Sequence, residues 1–240
     1  FPLMPEKDLA QALRFELANS MRFERGAEDE IEFDFTPLPG DQVDGKRRLL
    51  VMAAPRRVPL ALLDPLYHDA LYPEILEFGA FALPWVCPRE GGVCYLYAGL
   101  DVTHILIYEG REYRMSRQIA LDLTALLEAP GAVLAGLDNG GGESAAARAY
   151  RGLLSEVERT LEFYRARRRA SDVAEVVQSV VVSGATGKSE PFIRNLARDI
   201  GIAVTAADPL VGPGDEGRFA GDEAVYAVAC GMAMRGMESL

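Results

Sequence analysis

The chain is poor in cysteine, in histidine and in positive charge, and each shortage removes a class of function. Its three cysteines, Cys87, Cys94 and Cys230, are odd in number and contain no C-x-x-C pair. Neither a disulfide framework nor a zinc site is indicated, and they read as thiols of a reducing cytoplasm. The two histidines, His68 and His104, have no carboxylate or cysteine at metal-ligand spacing and no nucleophile motif beside them, so they read as ordinary surface or core histidines. Against 36 Asp and Glu stand only 25 Lys and Arg, a formal charge of −11. That is the wrong sign for a nucleic-acid partner, whose phosphates demand a basic footprint. No apolar run is long enough to span a bilayer, "AVYAVACGMAM" near the C-terminus included, and no cleaved leader is recognisable. G-x-S-x-G, H-E-x-x-H and paired-acid arrangements are missing too, so no catalytic residue and no metal ligand is assigned. The acids of "EDEIEFD" read as a solvated strand edge and turn.

What is present is a globular α/β pattern, with 49% apolar residues in 240, enough for one large core or two smaller ones. Leu9, Leu13, Leu17 and Met21 recur every fourth residue after Pro5 and Glu6, the mark of an amphipathic helix. Ile31, Phe33 and Phe35 alternate with Glu32 and Asp34 and predict a strand with one wet face. "RRLLVMAAP" is a continuous apolar run suited to a strand buried on both faces, and a helix is expected from Val58 to Leu71. The turn-rich "CPREGG" joint places an expected boundary between a first domain, 1–90, and a second, 91–240.

In the second region, "VCYLYAGLDVTHILIYEGREYRMSRQI" predicts an antiparallel meander of three strands. "LDLTALLEA" is expected to be helical, and Gly140 to Gly142 read as a flexible break. A long helix with Leu153, Val157, Leu161 and Tyr164 on one face follows; its terminal Arg165, Arg167, Arg168 and Arg169 suit the helix macrodipole and read as a solvated cap. Strand "SVVVS", helix "PFIRNLARDIG", strand "IAVTAAD" and helix "GDEAVYAVACGMAMRGM" complete the chain.

One stretch, "VVVSGATGKSE" from Val180 to Glu190, resembles a phosphate-binding P-loop. The G-x-x-x-x-G-K-[ST] spacing needs a glycine at Val182, and Gly184 lies too close to Gly187 for a loop of that size. Lys188 and Ser189 are therefore read as opening the next helix.

Several stretches in order resemble the PilM family of type IV pilus assembly proteins, which share the actin-like fold with the cell-division protein FtsA. They are "FPLMPEKDLAQALRFELANSM", "LLVMAAPRRV", "EILEFGAFAL", "VERTLEFYRAR", "VVVSGATGKSEPFIRNLARDIGIAVTAADPL" and "AVACGMAMRG". The resemblance implies an actin-like (ribonuclease H-like) two-domain α/β fold. It also implies an incomplete first domain, because the family's first phosphate hairpin would precede Phe1, and the chain opens without an initiator methionine, as a trimmed product would.

By family position, Gly99 and Thr103 fall in the second phosphate loop, and Gly184 and Ala185 in the adenosine loop. The pattern departs from the family's at both. Tyr97 stands where the metal-orienting aspartate is expected, and a phenol with a pKa near 10 cannot take its place. Ala185 replaces a glycine at a close backbone approach, and no E-x-x-K helix is apparent between Leu127 and Ala147.

The implied function is a cytoplasmic scaffold, peripheral to the inner membrane through its partners. It would bind the tail of a PilN-like membrane protein and other pilus-machine components, with no enzymatic activity, no cofactor and a vestigial nucleotide site. Phe15, Phe23 and Phe33 are candidates for an apolar partner groove, with core packing the plainer reading. Two alternatives stay open: an actin-like protein that still binds ATP, with Asp101 or Asp122 replacing the carboxylate, and the cytoplasmic domain of the type II secretion protein GspL.

Overall fold

A computed structural model describes residues 1–20, 30–38, 45–99, 102–128, 144–209 and 223–238. Met21, Phe23, Asp101 and the glycines at 140–142 lie outside the described residues. The chain divides into two compact units, Phe1–Leu76 and Glu77–Leu240.

In the first unit, helix α1 (Glu6–Ser20) buries Leu9, Leu13 and Ala18, the face expected from their spacing. Strands β1 (Ile31–Pro37) and β2 (Leu49–Pro55) pair antiparallel, Ile31 opposite Pro55 and Pro37 opposite Leu49. In β1, Ile31 is buried and Glu32 and Asp34 are exposed, as the alternation requires. Strand β2 is not buried on both faces: every residue of it is only partly covered, because its described sheet has two strands. Helix α2 (Arg57–His68) ends three residues short of the expected Leu71. Ala70, at φ 57°, turns the chain, and the Leu66 carbonyl accepts the Leu71 N–H at 2.9 Å.

The second unit is built on a five-stranded sheet in the order β5-β4-β3-β6-β7. Strands β3 (Gly92–Ala98), β4 (Thr103–Glu109) and β5 (Glu112–Ile119) form the predicted antiparallel meander. Strands β6 (Ser179–Ser183) and β7 (Ala203–Ala206) run parallel to β3. Side chains alternate between the two faces of a strand, and both faces of this sheet are covered. Cys94 and Leu96 of β3 join Val180 and Val182 in a core with Tyr150, Leu153, Val157 and Leu161 of helix α5 (Ala145–Arg168) and Phe192 and Leu196 of helix α6 (Glu190–Ile200). On the other face, Val93, Tyr95, Leu106 and Val181 meet Leu83, Val86 and Cys87 of the short helix α3 (Leu83–Val86) and its end, with Ala227 of helix α7 (Glu223–Glu238). A short helix α4 (Thr124–Glu128) precedes α5.

This second core explains where the units divide. The expected boundary at 90 falls at Leu76 instead, because Ala80, Leu83, Val86 and Cys87 are buried against β3, β4 and α7. Turn residues in "CPREGG" mark the entry into β3, not a separation of cores.

Candidate functional site

The parallel pairing of β3 with β6 sets Tyr97 opposite Ser183, so the carboxyl ends of both strands open at the same edge. In open α/β sheets this is where ligands are received. The first turn there follows Ala98: the Gly99 N–H donates to the Val102 carbonyl at 3.1 Å, and Thr103 begins β4 directly opposite Ala98. A methyl group on Gly99 would lie 2.7 Å from the Val102 carbonyl and 3.1 Å from Cε1 of Tyr97. The Tyr97 ring is thus folded back over the glycine. Thr103 is fully buried, and its hydroxyl has no hydrogen-bond partner.

The second turn follows β6. Gly184 takes φ 90° and ψ −167°, a conformation reserved for glycine, and a Cβ there would lie 2.9 Å from the Ala98 carbonyl oxygen. The chain then forms a single 3₁₀ turn, Ala185–Lys188, closed by the Gly187 N–H donating to the Gly184 carbonyl at 3.0 Å. Thr186 and Gly187 are buried within it, and the Thr186 hydroxyl, like that of Thr103, has no partner. Gly99, Thr103, Gly184 and Ala185 therefore belong to one cluster: the two turns meet at Ala98, which faces Thr103 along the sheet and Gly184 across it.

Ala224, at the start of α7, completes the cluster. Its carbonyl accepts from the Gly184 N–H and from the Ser183 hydroxyl, both at 2.9 Å, and its methyl group packs on Gly187. Sequence reasoning did not point to it. A backbone acceptor forty residues from the turn leaves no residue-type signal.

Ser189 has the role expected of it. Its hydroxyl accepts the Phe192 N–H at 3.3 Å as the N-cap of α6. Ser189→Ala should cost about 1 kcal/mol, read as a lowered midpoint in urea denaturation. Lys188 is exposed beside it.

The alternative carboxylate Asp122 accepts the Thr124 N–H at 3.0 Å at the start of α4. Hydrogen bonds from the Thr124 hydroxyl and N–H hold its carboxyl below the usual range. His104 tilts against Tyr97 with ring centroids 6.2 Å apart, and burial lowers its pKa, favouring the neutral imidazole. His68 is exposed on α2, its Nδ1 2.8 Å from the Asp64 carbonyl. Among the described residues no three His, Cys, Asp or Glu side chains gather as metal ligands. Cys87, Cys94 and Cys230 are free thiols.

Of the groove candidates, Phe15 is 63% exposed on α1, and Phe33 is half-buried under the Arg14 guanidinium at 5.1 Å. No helix among the described residues is long and apolar enough to cross a membrane.

No protein-family profile and no curated protein matches the chain. Among solved structures, a chain of the "PilM-PilN type IV pilus biogenesis complex" superposes with a TM-score of 0.76 at 22% identity, covering 98% of this chain and 74% of that one. The fold is actin-like. The ethanolamine utilization protein EutJ from Carboxydothermus hydrogenoformans superposes at a TM-score of 0.43 and 15% identity, covering 74% of this chain and 61% of its own. A Bacteroides thetaiotaomicron protein with an actin-like ATPase fold gives 0.39 and 10%, covering 86% and 63%.

Proposed function

We propose that the chain is a scaffold of a type IV pilus assembly machine, which works at the cytoplasmic face of the inner membrane and grips the tail of a PilN-like membrane protein. One observation carries the reading: the likeness to a chain of the PilM–PilN complex extends over 98% of this chain, through both units. Recognition of a peptide tail uses apolar anchors, and an exposed aromatic such as Phe15 is of that type.

The same site reads as a nucleotide pocket that has lost its chemistry. Three features support this. Tyr97 occupies the place of the carboxylate and covers Gly99. Ala185 puts a methyl group in the adenosine turn. Asp122, the one of the two alternative carboxylates that lies among the described residues, is engaged in capping α4. What persists is the turn geometry at Gly184, whose value is then structural.

Two measurements test the two halves separately. A pull-down with the N-terminal cytoplasmic peptide of a PilN-like protein should retain the chain, and Phe15→Ser should weaken that retention about tenfold; failure to bind any pilus component sinks the scaffold. Calorimetry with Mg-ATP should show no binding tighter than millimolar and no hydrolysis. Micromolar affinity would overturn the loss of the site while leaving the scaffold standing.

A further inference from the structure

The other end of the second unit's sheet carries a different surface. Strand β4 leaves the site at Thr103 and arrives, roughly 20 Å away at 3.4 Å per residue, at Glu109. There α5 ends in Arg165, Arg167, Arg168 and Arg169. Tyr164 fixes this helix end to the sheet through its hydroxyl, which donates to Glu109 at 2.7 Å.

Five of the acids at this end are already engaged; Glu90, exposed next to Gly91, is not among them. Glu109 also takes Arg114 at 2.9 Å and Arg168 at 3.1 Å, Glu112 takes Arg114 at 2.6 Å, and Glu162 takes Arg165 at 2.7 Å. Asp172 accepts the Ala174 N–H and Glu175 the Ser171 N–H, both at 3.0 Å. Arg167 and Arg169 are exposed and hold no ion pair among the described residues. The helix dipole accounts for one or two cations in a last turn, not for these two in addition to two that are already paired. Nor does it account for Phe163, 58% exposed one turn before Arg167 and on the same helical face.

We propose that this end of α5 docks on an anionic phospholipid surface, with the Arg167 and Arg169 guanidinium groups on lipid phosphates and Phe163 in the headgroup boundary. Guanidinium groups match phosphate oxygens in pairs, and an exposed aromatic beside cations is the pattern of interfacial binding. Phe163 is what favours lipid over an acidic peptide, which has no use for an apolar wedge. The net charge of −11 does not forbid the contact, since screening over about 8 Å at physiological salt leaves the local charge in control. Docked in this way, the second unit would hold the Gly99 and Gly184 turns at the end of the sheet away from the headgroups. The proposal does not depend on the pilus assignment.

Flotation of the chain with phosphatidylglycerol-containing vesicles tests it. Each cation near such a surface is worth on the order of fivefold in partitioning. The chain should float with anionic vesicles and not with pure phosphatidylcholine ones, and added salt should weaken it. Arg167→Gln combined with Arg169→Asn should reduce binding at least tenfold with little change in the thermal melt, because neither side chain bonds to the fold, glutamine suits a helix and asparagine suits the φ of 55° at position 169. Phe163→Ser should give a smaller loss that high salt does not erase. No flotation with anionic vesicles at low salt, or a double variant that floats like the parent, would overturn the proposal. Binding to polyglutamate without binding to vesicles would also overturn it, and would assign the arginines to an acidic protein.

Discussion

Gly184→Ala is expected to destabilise the second unit by about 3 kcal/mol, moving the thermal midpoint down by roughly 6–12 °C. Two independent costs add. At φ 90° and ψ −167° the backbone is in a region essentially confined to glycine, worth about 1–3 kcal/mol for any other residue. The new methyl carbon would also lie 2.9 Å from the Ala98 carbonyl oxygen, closer than real Cβ atoms come, and that oxygen belongs to a central strand that cannot yield without disturbing its ladder. Gly201→Ala separates the two. Gly201 caps α6 at φ 69°, and nothing lies within 4 Å of its would-be Cβ, so only the conformational cost of about 1 kcal/mol applies. Equal losses for the two variants in urea titration would show that the close approach of the turns at Ala98 carries no energy.

That close approach was partly legible in the sequence. A glycine after a run of β-branched residues announces a turn, and the near-miss P-loop spacing ruled out a phosphate cradle. What the residues could not say is that the turn after β6 rests on the turn after β3. This depends on parallel pairing across eighty-six residues, from Val93 to Ser179, and non-local pairing leaves no local pattern. The alternation in β1 and the four-residue spacing in α1 and α5 were readable, because burial on a face imposes a period on the sequence, whereas β3 and β4, covered on both faces, were readable only as β-rich runs between turns. Strand β2 was misread for the same reason. An apolar run says that side chains avoid water, but not how many strands cover them. The unit boundary followed suit: proline and glycine in "CPREGG" report a bend, whereas a division between cores is decided by what Ala80, Leu83 and Val86 pack against.

Helix α7 supplies the second large effect, in a direction that intrinsic propensity opposes. Gly231 lies in its middle, where alanine would ordinarily stabilise a helix by about 1 kcal/mol. Here Gly231→Ala should instead cost about 3 kcal/mol, the upper end of what overpacking typically costs, because the backbone it meets cannot move aside. The added methyl group would collide with the Ala82 carbonyl and crowd the Ala82 methyl at 3.1 Å. Ala82 and Leu83 are fully buried, so that segment has no room to retreat. Ala224, Ala227 and Gly231 form one small-residue stripe along the helix, buried at all three positions, and the stripe is what lets α7 lie against the chain at 80–87. Gly236→Ala is the matched control, because nothing lies within 4 Å of its would-be Cβ; it should be neutral or stabilising by up to about 1 kcal/mol. The effect of Gly231→Ala should also reach the candidate site. Since the Ala224 carbonyl anchors both Ser183 and Gly184, prising α7 from Ala82 should loosen the turn after β6, and amide exchange at Gly184 and Gly187 should accelerate more than at Val181. Unchanged exchange in a destabilised Gly231→Ala protein would show that the turn holds its shape without α7. The strain at Gly184 would then be borne by β3 alone.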